Sequence, residues 1–164
     1  MIVADTSALI SLAFGTALNL FLNEFEVAIT ETVVDELEEL SRGEDSVAKI
    51  SKQVLLAKDS IKVYRVKKGE LVSSRVDKGE GSCVLLARKL EADFLITDDL
   101  RALPELEKMI GGSEVAISPI VLRALINRGV LNRKQALEKL EQMSKKRDWL
   151  HRPIYKKARN LLKE

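Results

Sequence analysis

Two apolar runs each end in aspartate. Asp5 follows Ile2-Val3-Ala4, and the pair Asp98-Asp99 follows Phe94-Leu95-Ile96-Thr97. Two glutamates, Glu36 and Glu80, lie in segments whose apolar residues recur at helical spacing. Carboxylates gathered in one place repel each other and have raised pKa values unless something compensates their charge. A divalent cation provides that compensation. All-oxygen ligands suit Mg²⁺ or Mn²⁺, ions that also bind phosphate oxygens and activate water for in-line attack. The chemistry implied is hydrolysis of a phosphodiester. With one histidine, His151, and one cysteine, Cys83, the chain has too few ligands for a Cys/His zinc site and no partner for an intramolecular disulfide.

For these four sites to meet, the chain must bring strand ends and helix edges together. Residues 2–5, 26–30, 61–66 and 94–97 read as strands, with 115–118 as a fifth. Helical patterns cover 7–22 with a break near Gly15, then 31–42, 45–58, 79–91 and 99–109. This alternation predicts βαβ crossovers and an α/β fold, a three-layer α/β/α sandwich with a mainly parallel sheet of four or five strands. In such sheets ligands bind beyond the carboxyl ends of the strands, where Asp5 and Asp98-Asp99 fall. Aspartate is also a favoured N-cap, so each is equally suited to capping the next helix. On a helical wheel Val33, Leu37 and Leu40 form an inward stripe with Glu36 beside it, while Asp35, Glu38 and Glu39 turn toward solvent. Cys83, Leu86, Ala87 and Leu90 form a second stripe with Glu80 on its flank. A glutamate in a first helical turn also complements the helix dipole. Gly43 and Gly69 mark loops, and Gly111-Gly112 is the strongest turn signal.

The 164 residues suffice for one core, and we expect a single domain, 1–164, with 119–164 a C-terminal helical extension broken near Gly129 and Pro153. No apolar run of about 18 residues and no basic leader is present, which predicts a cytoplasmic protein without a membrane partner. Residues 133–164 carry eleven Lys or Arg against four Asp or Glu, a net +7, so residues 1–132 carry −5 of the overall +2. Such a segment is either a solvated helical face or a phosphate-binding surface beside a carboxylate site.

Asp5-Thr6-Ser7 after a first strand, Glu36 in Val-Val-Asp-Glu-Leu, Glu80 in Lys-Gly-Glu-Gly-Ser, and Asp98-Asp99 in Ile-Thr-Asp-Asp-Leu-Arg together resemble the successive acidic motifs of PIN domains. The resemblance covers roughly residues 1–120 and is closest to the archaeal and bacterial branch. It implies an Mg²⁺- or Mn²⁺-dependent ribonuclease with Asp5, Glu36, Glu80 and Asp98 as core acids and Asp99 able to assist or replace Asp98. It implies hydrogen bonds from Thr6 and Ser7 to an acid or to metal-bound water. RNA is the implied substrate, and many members are toxins paired with an antitoxin protein; a homodimer is also compatible. The third acid, Glu80, departs from the Asp usual in the toxin branch.

Among other residues, Arg101 could reach a phosphate or simply be solvated. Lys145-Lys146-Arg147 with Trp149, Arg152, Tyr155, Lys156, Lys157 and Arg159 mixes cations with flat rings as RNA-binding surfaces do, although Trp149 and Tyr155 are equally suited to packing. His151 has no nearby partner for a triad, and Cys83 is expected to pack as a small hydrophobe. The main alternative to an enzyme is a catalytically weak PIN-fold module that binds RNA or a protein. A phosphatase using Asp5 as nucleophile would want a second Asp at position 7, which is serine here.

Overall fold

The structure, a computed structural model, describes residues 1–67 and 75–163; Gly69 lies outside them. The described elements are β1 (Ile2–Ala4), α1 (Thr6–Phe14), α2 (Leu18–Glu24), β2 (Val27–Thr30), α3 (Glu31–Ser41), α4 (Ser46–Leu56), β3 (Lys62–Tyr64), α5 (Lys78–Leu90), β4 (Phe94–Ile96), α6 (Leu103–Met109), β5 (Glu114–Ala116), α7 (Ile120–Asn127), α8 (Arg133–Lys146) and α9 (Pro153–Lys163). The strands form one sheet in the order β3-β2-β1-β4-β5, with every pair parallel. The fold is the expected three-layer α/β/α sandwich.

That order determines where a site can form. From β1 the chain moves outward through β2 to β3, then crosses back to place β4 on the other side of β1. The crevice between the carboxyl ends of β1 and β4 is therefore the topological switch point, the usual binding position in open α/β sheets. Right-handed crossovers place α5 on the face opposite α1, because the β3-to-β4 connection advances in the opposite direction from β1-to-β2. The central strands are apolar because both faces are covered: Val3, Ala4, Ala28, Leu95 and Ile96 are all fully buried.

Side-chain caps start four of the helices around the sheet: Asp5 caps α1, Thr30 caps α3, Asp45 caps α4 and Asp77 caps α5. The predicted 7–22 helix is two helices meeting at 115° around Gly15 and Thr16. The predicted 99–109 helix begins later, at Leu103. The Asp99 carboxylate accepts the Arg101 N–H at 3.0 Å, a local turn that competes with helix, and Pro104 then opens α6. In α3 the buried stripe is Val33, Val34 and Leu37, whereas Leu40 is 40% exposed. Glu36 stays half-buried because its partners are α1 and α5, as described below. Gly111 (φ +79°) and Gly129 (φ +73°) make the turns their types predict.

The last three helices are not a loose appendage. Leu140, Met143, Trp149, Ala158 and Leu162 belong to the same buried cluster as the strands. Trp149 is buried as a packing anchor, while Tyr155 donates its hydroxyl proton to Glu141 at 2.5 Å. Cys83 is fully buried with its thiol against the Ala4 carbonyl, and burial pushes its pKa well up, so it is an inert small hydrophobe.

Candidate active site

A cleft of about 280 Å³ opens at the switch point, lined chiefly by Asp5, Glu36, Asp77, Glu80, Asp99 and Arg147. Asp5 ends β1 and is 5% exposed. Its Oδ1 accepts the Ser7 hydroxyl at 2.8 Å and the Ala8 N–H at 3.0 Å, and its Oδ2 accepts the Thr97 hydroxyl at 2.5 Å. Asp5 thus caps a helix and lines the cleft at once: one oxygen starts α1, while Thr97 ties the other to the end of β4. Burial raises the Asp5 pKa to about 7, with the Asp98 charge adding to the rise and the three hydrogen bonds opposing it.

Glu80 and Asp77 form a capping box at the start of α5. The Asp77 N–H donates to Glu80 Oε2 at 3.1 Å, and the Glu80 N–H donates to Asp77 Oδ1 at 2.8 Å. Glu80 is 5% exposed, and burial, followed by the charges of Asp77, Asp5 and Asp99, raises its pKa to about 8 against the opposing Asp77 N–H bond. Glu36 reaches the same place from α3, with its Oε2 accepting the Thr6 hydroxyl. Burial raises its pKa as well, with Asp77 and Glu39 contributing and the Thr6 bond opposing. Its carboxylate lies directly over Gly79, where a Cβ would overlap it, standing 2.8 Å from both Cδ and Oε2. A glycine at the second position of α5 is what lets an α3 carboxylate approach that helix end.

The two aspartates after β4 divide. Asp99 lines the cleft. The Asp98 carboxylate accepts the Ser118 N–H at 2.7 Å and the Ser118 hydroxyl at 2.8 Å, while its own N–H donates to Ser7 Oγ at 3.0 Å. Asp98 therefore joins β4 to the turn before α7 and stands behind the cleft, close enough for its charge to act on Asp5. The structure brings together Asp5, Glu36, Glu80 and Asp99 and directs Asp98 elsewhere. Arg101 is exposed at the rim beside Asp99. Asp77 in the cleft lining and Thr97 behind Asp5 are not marked as candidates by the sequence, and Arg147 is marked there only as part of a basic run. The Asp77-x-x-Glu80 capping-box spacing was a readable signal for the first, and nothing local places the other two at the site.

The donor set is all oxygen, and burial and mutual repulsion leave it short of positive charge. That fits a hard divalent cation. Among the described residues no group of three or more acidic, His or Cys side chains is arranged to hold a metal ion directly; a cation here would be held partly through its waters, as Mg²⁺ allows.

The raised pKa values carry a stability prediction. Unfolded Asp5 and Glu80 titrate near 3.8 and 4.5, whereas the folded groups titrate near 7 and 8. Between those limits the unfolded chain is ionised while the native carboxyls still hold protons. Folding then takes up protons, so stability is lost as pH rises through the window. In EDTA, the Tm difference between Asp5→Asn and the unmodified protein should move in the variant's favour from pH 5 to pH 8. A difference that stays flat across that range would contradict the assignment.

The family model described as a PIN domain (DUF3368) matches residues 1–164, and the chain belongs to that family. Its members are generally nucleases, typically using divalent metals. No curated protein and no solved structure matches the chain.

Proposed function

We propose that the protein is a metal-dependent endoribonuclease that hydrolyses RNA phosphodiester bonds at the switch-point cleft. The observation that carries this reading is the convergence of Asp5, Glu36, Glu80 and Asp99, from four different elements, on one opening. A bound Mg²⁺ or Mn²⁺ supplies charge neutralisation at the phosphate and an activated water for in-line attack. Asp5 and Asp99 would hold the ion from the strand side, and Glu36 and Glu80 from the helix side.

The remaining work falls to the chain's own hydrogen bonds. Thr97 and Ser7 fix the Asp5 carboxylate so that it need not reorganise when a ligand enters, and Thr6 does the same for Glu36. Glu80 is anchored through Oε2 at the start of α5, which leaves Oε1 for the cleft. Its high pKa makes it a proton-holding group near neutral pH until a cation is bound.

A labelled single-stranded RNA incubated with purified protein should be cut in Mg²⁺ or Mn²⁺ and left intact in EDTA. Equal cutting in EDTA, or none with either metal across several RNAs, would remove the proposal. Retained RNA binding without cleavage would favour the binding-module alternative.

A further inference from the structure

We infer that Arg147 is a phosphate-binding residue, holding a backbone phosphate of the RNA against the acidic cleft; this rests on the nucleic-acid reading above. Among the described residues lining the cleft it is the one cation, set among five carboxylate side chains. It arrives from the far end of the chain by a well-fixed route. Helix α8 runs along α1 in the opposite sense: at one end a Cβ on Gly15 would stand 2.6 Å from Met143 Cγ, and at the other Arg147 shares the cleft lining with Ser7 and Ile10. The Arg147 N–H donates to the Met143 carbonyl at 2.9 Å. Asp148 then turns the chain at φ +54°, and the buried Trp149 returns its N–H to the Ser144 carbonyl at 2.9 Å. These contacts hold the backbone on both sides of Arg147.

The side chain itself is incompletely satisfied. Arg147 Nε is buried and has no hydrogen-bond partner among the described residues. A buried donor left unpaired is costly, and native proteins rarely leave one without a reason. Burial raises the Asp98 pKa, and the guanidinium only weakly opposes that rise, after the bonds from Ser11 and Ser118, which leaves the Nε proton without an acceptor. Nε is closed to solvent, so a phosphate would accept from Nε and a neighbouring Nη in parallel once the guanidinium turns toward the cleft that Arg147 lines. The carboxylates, once neutralised by a cation, and the guanidinium would then grip the same backbone from two sides. A lysine could supply the charge at this position without the two-pronged geometry.

The test is binding of a fluorescent single-stranded RNA by anisotropy in Ca²⁺ across a range of salt, with cleavage of the same RNA in Mn²⁺ measured alongside. Arg147→Ala should weaken binding by about 10-fold or more and flatten the slope of log affinity against log salt by about 0.7, the value for one phosphate contact to a single strand. Arg147→Lys should keep the slope and recover only part of the affinity. Lys89→Ala, at the end of α5 remote from the cleft, removes the same charge and should leave both unchanged. An Arg147→Ala protein that cleaves and binds with the unmodified affinity and slope overturns this inference alone. One that loses Tm with an unchanged slope makes Arg147 merely structural and overturns it too. Unmodified protein that binds with the expected slope but never cleaves supports Arg147 while removing the nuclease reading. Unmodified protein that binds no RNA overturns both.

Discussion

Asp5→Asn should lower RNA cleavage by about 100-fold or more while leaving a folded protein. Asparagine keeps the shape of the side chain and is itself a good N-cap, so the Ala8 N–H that starts α1 retains its acceptor. Nor does folding need the negative charge, since burial already holds Asp5 near pKa 7 and much of it is protonated at neutral pH before any cation binds. What the substitution removes is the ability to become an anion against a divalent ion. Asp35→Asn, on the exposed side of α3, removes a charge from the same region and should change activity little. Circular dichroism and a cleavage assay on the three proteins decide the matter. Activity in Asp5→Asn within a few-fold of the unmodified protein would mean that the acid is a helix cap only.

Gly79→Ala is expected to separate activity from stability in a less obvious way. At an ordinary helical position this exchange stabilises by roughly 0.4–1 kcal/mol. Here the new Cβ meets the far end of the Glu36 side chain, with Cδ at 2.8 Å, and a flexible carboxylate can swing away at small cost to the fold. The site suffers instead, because Glu36 leaves both the start of α5 and the Thr6 hydroxyl. Tm should stay level or rise while cleavage falls by roughly 10- to 100-fold. Adding Glu36→Asp, one methylene shorter, should restore part of the loss by making room for the methyl group. A Gly79→Ala protein of full activity, or one whose activity falls only in step with its Tm, would show that the close approach serves packing and not the site.

These residues also indicate how far the sequence alone could be read. Asp5 and Asp99 were visible because apolar runs ending in acid are local signals, and a parallel sheet necessarily carries such ends to one side. Helical phase marks Glu36, although the stripe beside it includes Leu40, which is exposed at the cleft rim. Its true neighbours, Thr6 and Gly79, are 30 or more positions away, and no periodicity reports them. The choice between Asp98 and Asp99 turned on Ser118, twenty residues further on, whose N–H and hydroxyl claim the first carboxylate. In the sequence Arg147 reads as part of a basic run and not as a cleft residue, because only the packing of α8 along α1 determines where that run ends. The same packing makes removal of residues 133–164 a poor test of their charge. It would strip Leu140, Met143 and Trp149 from the core along with the lysines.

The central claim, that this cleft holds the catalytic cation, is tested most directly by anomalous diffraction from crystals soaked in Mn²⁺. The expected map has a manganese peak within ligand or water-bridged distance of Asp5, Glu80 and Asp99, and no such peak in crystals of Asp5→Asn. Crystals of cleavage-competent protein that show manganese only elsewhere on the surface, with this cleft empty at saturating metal, would contradict it.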